Sequence, residues 1–190
     1  MGIKRYTAIN DNTITNAFES NLVTRGTGSN MGLADSLEVF SIYAQATSAS
    51  SELSRILAKF PVATADAATT IQSDRADGTI PASGSVDFYL RCYNVKHTAT
   101  LPRNFTLVIS PVSQSWEEGN GLDMEEYSDL TYGGTGSNWI NAAASTTWSN
   151  IAGTTLTGGS YLSASFNGAT TADYDEFNFT QTFGEKGTGD

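Results

Sequence analysis

The stretch RILAKFP, Arg55–Pro61, decides the fold class, because polar and apolar side chains alternate along it and a proline ends it. In a β-strand successive side chains point to opposite faces, so a period of two indicates a strand. Ile56, Ala58 and Phe60 share one face of the strand predicted over Leu53–Phe60, and the two basic residues share the other. Proline lacks the amide donor that the next ladder position needs, so the strand ends there.

Two further alternating segments downstream predict a β-hairpin. In Val86–Asn94 the side chains of Phe88, Leu90 and Cys92 fall on one face, and Asn104–Pro111 alternates in the same way. Short strands joined by glycine-rich and polar turns are typical of β-sandwiches. We also expect strands at Ile3–Ile9, at Leu37–Tyr43, near Tyr161–Phe166 and near Glu176–Phe183. Connections are expected at the turn Asn10–Thr13, the hairpin link Ala44–Ser51, the loop Val62–Thr79 with at most one helical turn in Ala63–Thr70, and the long excursion Trp116–Trp148.

The size and composition of the chain predict one all-β domain. A compact body of 190 residues buries roughly 70% of the surface that its unfolded chain exposes, which is enough for a single core. Only 16% of the residues are charged, against about 25% in an average protein, and small polar residues fill the joints between apolar runs. We therefore expect a single β-sandwich domain over residues 1–190.

The charge balance argues against nucleic acid as a partner. The 10 basic and 20 acidic residues give a formal net charge of −10, which repels a phosphate backbone unless the cations are gathered on one face. The basic residues are scattered along the sequence, so no such face is expected. A membrane partner is not expected either, since the chain has no long apolar run and no apolar segment after its N-terminal basic pair.

The single cysteine and the single histidine restrict the available chemistry. Cys92 has no partner for an intrachain disulfide, and its position in the alternation predicts a small apolar side chain in the interior. His97 is the sole imidazole, so a Ser or Cys nucleophile has no obvious base and zinc has no ligand set. Acidic residues in 117–126 could pair as in a glycosidase, but acids crowded in a loop are ordinarily solvated. We predict that the chain is not an enzyme.

Two weak candidate sites remain, one for a cation and one for a sugar. Asp123, Glu125 and Asp129 lie in one oxygen-rich loop, and calcium takes roughly six to eight oxygen ligands. A hydrated acidic loop is the favoured alternative, so no cofactor is expected. Tyr132 and Trp139 could stack on sugar rings, although large aromatic side chains belong more often to a core.

The spacing of several motifs resembles that of the DNRLRE domain family. The motifs are Arg55-x-Leu57-x-Lys59-Phe60, Ile80-Pro81, Val86-x-Phe88-x-Leu90-x-Cys92-Tyr93, Ser115-Trp116-x-Glu118, and, around them, Asp11-Asn12-Thr13, Asn30-Met31-Gly32, Leu37 and Asn138-Trp139-Ile140-Asn141. The resemblance covers about residues 9 to 148. It implies a jelly-roll-like antiparallel β-sandwich with long loops, used as a non-catalytic module on surface and adhesive proteins. The Ser137-Asn138-Trp139-Ile140-Asn141-Ala142 wording is, more narrowly, similar to virion structural proteins of marine tailed phages.

The C-terminal end departs from that family pattern. Such domains close with a strand of alternating Val and Ile that ends in Trp, whereas this chain stops at Gly184–Asp190. We hypothesise that the closing strand lies in a continuation of the chain or comes from a neighbouring chain, because an open sheet edge accepts an added strand.

Taken together, the residues and the resemblance predict a virion structural protein. It would be made in the host cytoplasm, in agreement with the absence of disulfides. It would be displayed on the virion surface, either as a decoration protein of the capsid or as part of the tail. Its partners would be other virion proteins and further copies of itself, since particle surfaces are symmetric. The alternative is a carbohydrate-binding module of a tail fibre that recognises host glycans, and a hydrolase comes third.

Overall fold

The computed structural model describes residues 2–81, 86–93, 95, 104–122, 127–161 and 177–182, with only the backbone of 104–106 and 177–182. Strands predominate in this part and helix is almost absent, so the prediction of an all-β class is confirmed. No helix within it is long and apolar enough to cross a membrane. The elements are β1 (Asn10–Thr15), β2 (Ser41–Tyr43), β3 (Ser51–Lys59), α1 (Ile71–Ala76), β4 (Asn104–Ile109), β5 (Asn141–Ala143), β6 (Thr146–Thr147) and β7 (Phe177–Thr182).

The largest sheet is three-stranded, with β3 in the centre and the order β1-β3-β2. Both pairs are antiparallel: β1 runs against β3 from Asn10 opposite Lys59 to Thr15 opposite Ser54, and Tyr43 of β2 lies opposite Ser51. The strand predicted at Leu53–Phe60 is therefore confirmed as most of β3, and the predicted link Ala44–Ser51 joins β2 to β3.

Two smaller antiparallel sheets pair β4 with β7 and β5 with β6. The predicted strand near Glu176–Phe183 is confirmed as β7, which runs from Phe177 opposite Ile109 to Thr182 opposite Asn104. Of the strand expected near Tyr161–Phe166, the structure describes Tyr161, which forms an isolated bridge with Val112. Residues 162–166 lie outside the described part.

One face of the main sheet carries the apolar core. Ile14 of β1 and Leu57 of β3 pack with Trp139, Ala142 and Trp148. Burying side chains of this size stabilises the fold by roughly 1.5–3 kcal/mol each. Around this cluster lie the partly buried side chains of Leu53, Trp116 and Leu156.

The opposite face of the main sheet carries Thr13 and Ser54 beside Ile56, and the chain segment 38–40 lies over it. The apolar face expected from Ile56, Ala58 and Phe60 is therefore not the core face, which is the face of Leu57. On this opposite face Thr13 and Ser54 are buried: the backbone amide of Glu38 donates to Thr13 Oγ1 at 3.1 Å, and that of Phe40 donates to Ser54 Oγ at 2.7 Å. Because these amides bond to side chains rather than to a ladder, the strand predicted over Leu37–Tyr43 is shortened to the three residues of β2.

Three expectations for the N-terminal half were wrong. The segment Ile3–Ile9 is not a strand, and Asn10–Thr13, expected as a turn, begins β1. Residues that usually favour turns form a strand here because the side chain of Asn12 bonds to distant backbone: its Oδ1 accepts from the amide of Met31 at 2.8 Å. The helix lies after Ala63–Thr70 rather than within it, because Thr70 caps it: Oγ1 of Thr70 accepts from the amide of Ser73, and the Ser73 hydroxyl accepts from the amide of Thr70.

The hairpin predicted between Val86–Asn94 and Asn104–Pro111 is also wrong. No residue of 86–93 belongs to a strand, and β4 pairs with β7 instead. Without a partner strand the alternation of the segment has no buried side, and Cys92, expected in the interior, is exposed. The long excursion Trp116–Trp148 contains the short pair β5 and β6. The closing strand from outside the chain and the extent of the domain stay predictions.

Candidate ligand site around Arg55

The candidate site is built on Arg55, a half-buried residue in the middle of β3. Strand alternation places it on the same face as Leu53 and Leu57, which is the face that carries the core. Opposite Arg55 on β1 lies Ile14, a fully buried residue. The guanidinium therefore extends from the rim of an apolar core rather than from an exposed loop.

Two aromatic rings hold the guanidinium of Arg55. Its central carbon lies 5.0 Å from the ring centroid of Trp139 and 5.2 Å from that of Tyr161. A cation within about 6 Å of an aromatic face is attracted by the ring quadrupole. Nη1 of Arg55 also donates a hydrogen bond to the carbonyl of Gly158. The side chain is thus fixed before any ligand arrives.

The loop 156–161 forms the other wall of the site, and its glycine at 158 is required. Gly158 has a φ of +76°, and a Cβ there would lie 2.7 Å from Trp139 Cζ2 and 2.9 Å from Arg55 Nη1. Only glycine combines this conformation with so close an approach. The loop is anchored at both ends, since Leu156 N donates to Trp148 O at 2.8 Å and Ser160 Oγ donates to Ser149 O at 2.6 Å.

A cavity of about 310 Å³ opens between the arginine and this loop. Tyr161 contributes a ring that is 50% exposed. The volume lies near the lower end of small-molecule pockets, which run from about 300 to 1,000 Å³. Its lining residues are Arg55, Leu156, Thr157, Gly159 and Tyr161.

Arg55 has no acidic partner in the described part of the chain. The two ion pairs found there join Lys4 to Asp74 and Lys59 to Asp66. Among the described residues the guanidinium of Arg55 is therefore a positive charge without a paired carboxylate, in a chain whose formal charge is −10.

Of the two aromatic residues that the sequence singled out for sugar stacking, only Tyr132 is exposed in the structure. Trp139 is only 8% exposed and belongs to the core, where its outer part supports Arg55. Tyr132 is half exposed, but its hydroxyl lies 2.9 Å from Thr27 Oγ1 and 3.3 Å from the carbonyl of Arg25. Tyr132 therefore fixes the loop around Thr27, and Trp139 packs against the guanidinium of Arg55.

Of the calcium candidates, only Asp129 lies in the described part. Its Oδ2 accepts from the backbone amide of Leu122 at 2.9 Å. Asp123 and Glu125 lie outside the described residues, as does His97. Among the described residues no group of three or more His, Cys, Asp or Glu side chains could hold a metal ion. The expectation of no cofactor, with calcium at Asp123, Glu125 and Asp129 as the alternative, stays a prediction.

The two acids that follow Trp116 are engaged by backbone amides and an asparagine. Glu118 accepts from the amide of Asp11 at 2.8 Å and from Asn10 Nδ2 at 3.0 Å. Glu117 Oε2 accepts from two amides, each at 3.2 Å. Burial raises the pKa of the Asp11 carboxyl, and the Glu118 carboxylate raises it further. In the described structure these two carboxylates tie loops to β1 and to the segment around β5.

Sequence reasoning placed Arg55 in a strand but missed its role. The alternation set Arg55 apart from the apolar face of Ile56, Ala58 and Phe60, but the core lies on the face that Arg55 shares with Leu57. Tyr161 and the loop around Gly158 come from a part of the chain roughly a hundred positions away. The pair of adjacent glycines at 158 and 159 was the only local signal of a tight loop.

Comparison with family models, with curated proteins and with solved structures found no match. The function of the chain is therefore argued from its own residues and from the resemblance described above.

Proposed function

We propose that the chain is a non-catalytic structural module of a phage particle, displayed on the capsid or tail and acting through protein–protein contacts. The motif resemblance to virion structural proteins supports the phage assignment. The all-β architecture with antiparallel sheets supports a jelly-roll-like sandwich as the finer description. The sequence contains a single imidazole, His97, in a polar segment, which supports a role without turnover.

The observation that carries the contact role is the exposed apolar segment 86–93. Phe88, Tyr89, Leu90 and Tyr93 are 51 to 87% exposed, although their residue types favour strands. A strand-forming segment that belongs to none of the sheets in the described part of the chain is a natural site for pairing with another chain. We therefore propose that this segment contacts a neighbouring virion protein or a second copy.

Particles of the phage that encodes this chain provide the test. We expect the chain in purified particles by mass spectrometry, and its density on their outer surface by cryo-electron microscopy. The double variant Phe88→Ser/Leu90→Ser should lower its occupancy in particles at least tenfold. The control Val23→Ser/Ile151→Ser changes two apolar residues that are 80 and 74% exposed elsewhere, and it should leave occupancy unchanged. A chain absent from particles would contradict the proposal.

A second candidate function is the binding of a glycan on the host surface, and the Arg55 cavity favours it. An exposed aromatic ring next to a fixed polar group is the usual makeup of a sugar site. Tyr161 and Arg55 provide this pair. Binding to immobilised glycans would support the second candidate whether or not the chain is found in particles.

A further inference from the structure

We propose that the Arg55 cavity binds an acidic sugar, with the sugar carboxylate on the guanidinium of Arg55 and one face of the sugar ring against Tyr161. This inference rests on the second candidate function and names its ligand class.

The charge of the ligand follows from Arg55. Its only hydrogen bond within the described part goes from Nη1 to the carbonyl of Gly158, so further N–H donors of the guanidinium are available at the cavity. A half-buried cation that no carboxylate of the described residues neutralises attracts an anion. Hydrogen bonds from a guanidinium to a carboxylate are among the stronger ones in proteins.

The ring of the ligand follows from Tyr161. Half of this side chain faces solvent, while the guanidinium lies 5.2 Å from its centroid. A sugar that carries its carboxylate on the ring can place its apolar C–H face on the tyrosine while the carboxylate reaches the arginine. A free carboxylate can use only the contact with Arg55, and a neutral sugar can use only the contact with Tyr161.

The size and rigidity of the site suit one such residue. The cavity of about 310 Å³ has room for a single ring-sized group, and Thr157 and Gly159 are among its lining residues. Trp139 and the carbonyl of Gly158 hold the arginine in place. Because less side-chain freedom is lost on binding, a preorganised site gains affinity.

The test is a nuclear magnetic resonance titration of the full chain with glucuronic acid, N-acetylneuraminic acid, glucose and acetate. We expect resonances of Arg55, Gly159 and the Tyr161 ring to shift with one or both acidic sugars. Glucose and acetate should each bind at least tenfold more weakly than the better acidic sugar. Raising the salt concentration should weaken binding of the acidic sugar, because salt screens an ion pair at a half-exposed site.

Variants separate the two contacts. Arg55→Gln should abolish binding and Arg55→Lys should retain part of it, since lysine keeps the charge but loses the planar fork. Tyr161→Ala should weaken binding at least fivefold. The matched control is Tyr43→Ala, which removes a tyrosine that is 72% exposed on β2, and it should leave the affinity unchanged. If Arg55→Gln unfolds, the Tyr161 variant and the salt dependence still decide the question.

The outcomes distinguish this inference from the function on which it rests. Glucose that binds as tightly as glucuronic acid would overturn the acidic ligand but leave glycan binding standing. Acetate that binds as tightly would show a plain anion site and overturn the sugar. No binding of any sugar, including on an array of immobilised neutral and acidic glycans, would overturn both and leave the structural module.

Discussion

Three fully buried asparagines hold parts of the chain together through side-chain hydrogen bonds. Asn12, Asn30 and Asn138 are fully buried. Asn30 uses both ends of its amide: Nδ2 donates to the carbonyls of Glu118 and Ser137 at 2.7 Å, and Oδ1 accepts from the amides of Gly32 and Gly121. A buried polar group stabilises a fold only when its hydrogen bonds are complete, and here they are.

The importance of Asn30 can be measured by removing its amide. Asn30→Ala leaves the buried amides of Gly32 and Gly121 and the part-buried carbonyl of Glu118 without their side-chain partner, whereas the Ser137 carbonyl keeps its bond from Asn12 Nδ2. We expect the free energy of unfolding to fall by about 3 kcal/mol or more, given roughly 1–3 kcal/mol for each buried group left unsatisfied. Urea unfolding followed by circular dichroism measures the change.

Asn21→Ala is the matched control for that experiment. Asn21 Oδ1 also accepts from two backbone amides, both at 2.8 Å, but the residue is exposed. Water replaces the lost bonds there, so the loss should stay below about 1 kcal/mol. Equal losses in the two variants would show that the burial of Asn30 adds nothing.

At the scale of elements, alternation in the sequence identified segments that can be strands but not the strands they pair with. Leu53–Phe60 forms most of β3 as predicted, and β3 pairs with β2 just before it and with β1 roughly 40 positions earlier. Val86–Asn94 alternates equally well, yet β4 takes β7, more than sixty positions further along, as its partner. Pairing depends on which edges meet in the folded chain, and a local pattern does not contain that information.

The same limit explains which parts of the Arg55 site could be predicted. That Arg55 shares a face of β3 with Leu53 and Leu57 follows from its position in the strand. Its neighbours do not, because Trp139, Gly158 and Tyr161 reach it through long-range contacts. Asn10–Thr13 shows the reverse case, in which residues with a strong turn preference form a strand because tertiary hydrogen bonds outweigh local propensity.

The N-terminal arm is tied to α1 by charge. Tyr6 donates its hydroxyl proton to Asp74 Oδ2, and Lys4 Nζ lies 3.0 Å from the same oxygen. The bond from Tyr6 and then that from Lys4 hold the pKa of Asp74 below its ordinary 3.8. Burial, then Asp74, raises the pKa of Tyr6 to about 12. Folding therefore favours an ionised Asp74 and a protonated Tyr6.

This attachment predicts a dependence of stability on pH. A lowered acid pKa gives stabilisation that is present above 3.8 and is lost as the pH falls through the lower folded value. A raised tyrosine pKa gives stabilisation that is present below 10 and is lost as the pH rises towards about 12. In Tyr6→Phe we expect a smaller loss of stability at acid pH and no loss of stability at alkaline pH from this group. The midpoint of urea unfolding, followed against pH, measures both.

Tyr43→Phe is the control for the pH series, because Tyr43 is exposed on β2. Its midpoint should follow that of the unchanged chain at every pH. Burial also raises the pKa of Tyr127, so part of the alkaline loss should remain in Tyr6→Phe. An alkaline loss as large as that of the unchanged chain would contradict the assignment to the bond between Tyr6 and Asp74.

On the scale of the whole molecule, one small apolar cluster joins parts of the chain that are far apart in sequence. Ile14 and Leu57 come from the main sheet, whereas Trp139, Ala142 and Trp148 come from the region around β5 and β6. Trp148 also donates from Nε1 to the carbonyl of Asn138 at 2.8 Å, so the cluster is linked to the asparagine network. The sheet and this region should therefore unfold together.

Cooperative unfolding can be tested by a double-mutant cycle between Leu57 and Trp148. Leu57→Ala and Trp148→Ala should each lower the free energy of unfolding by roughly 2–5 kcal/mol. Because both side chains belong to the same cluster, the double variant should depart from the sum by about 0.5–3 kcal/mol. Leu57→Ala combined with Ile151→Ala, which alters a residue that is 74% exposed, should be additive. Two separate thermal transitions, or an additive core pair, would mean that the sheet and the tryptophan region do not share a cooperative core.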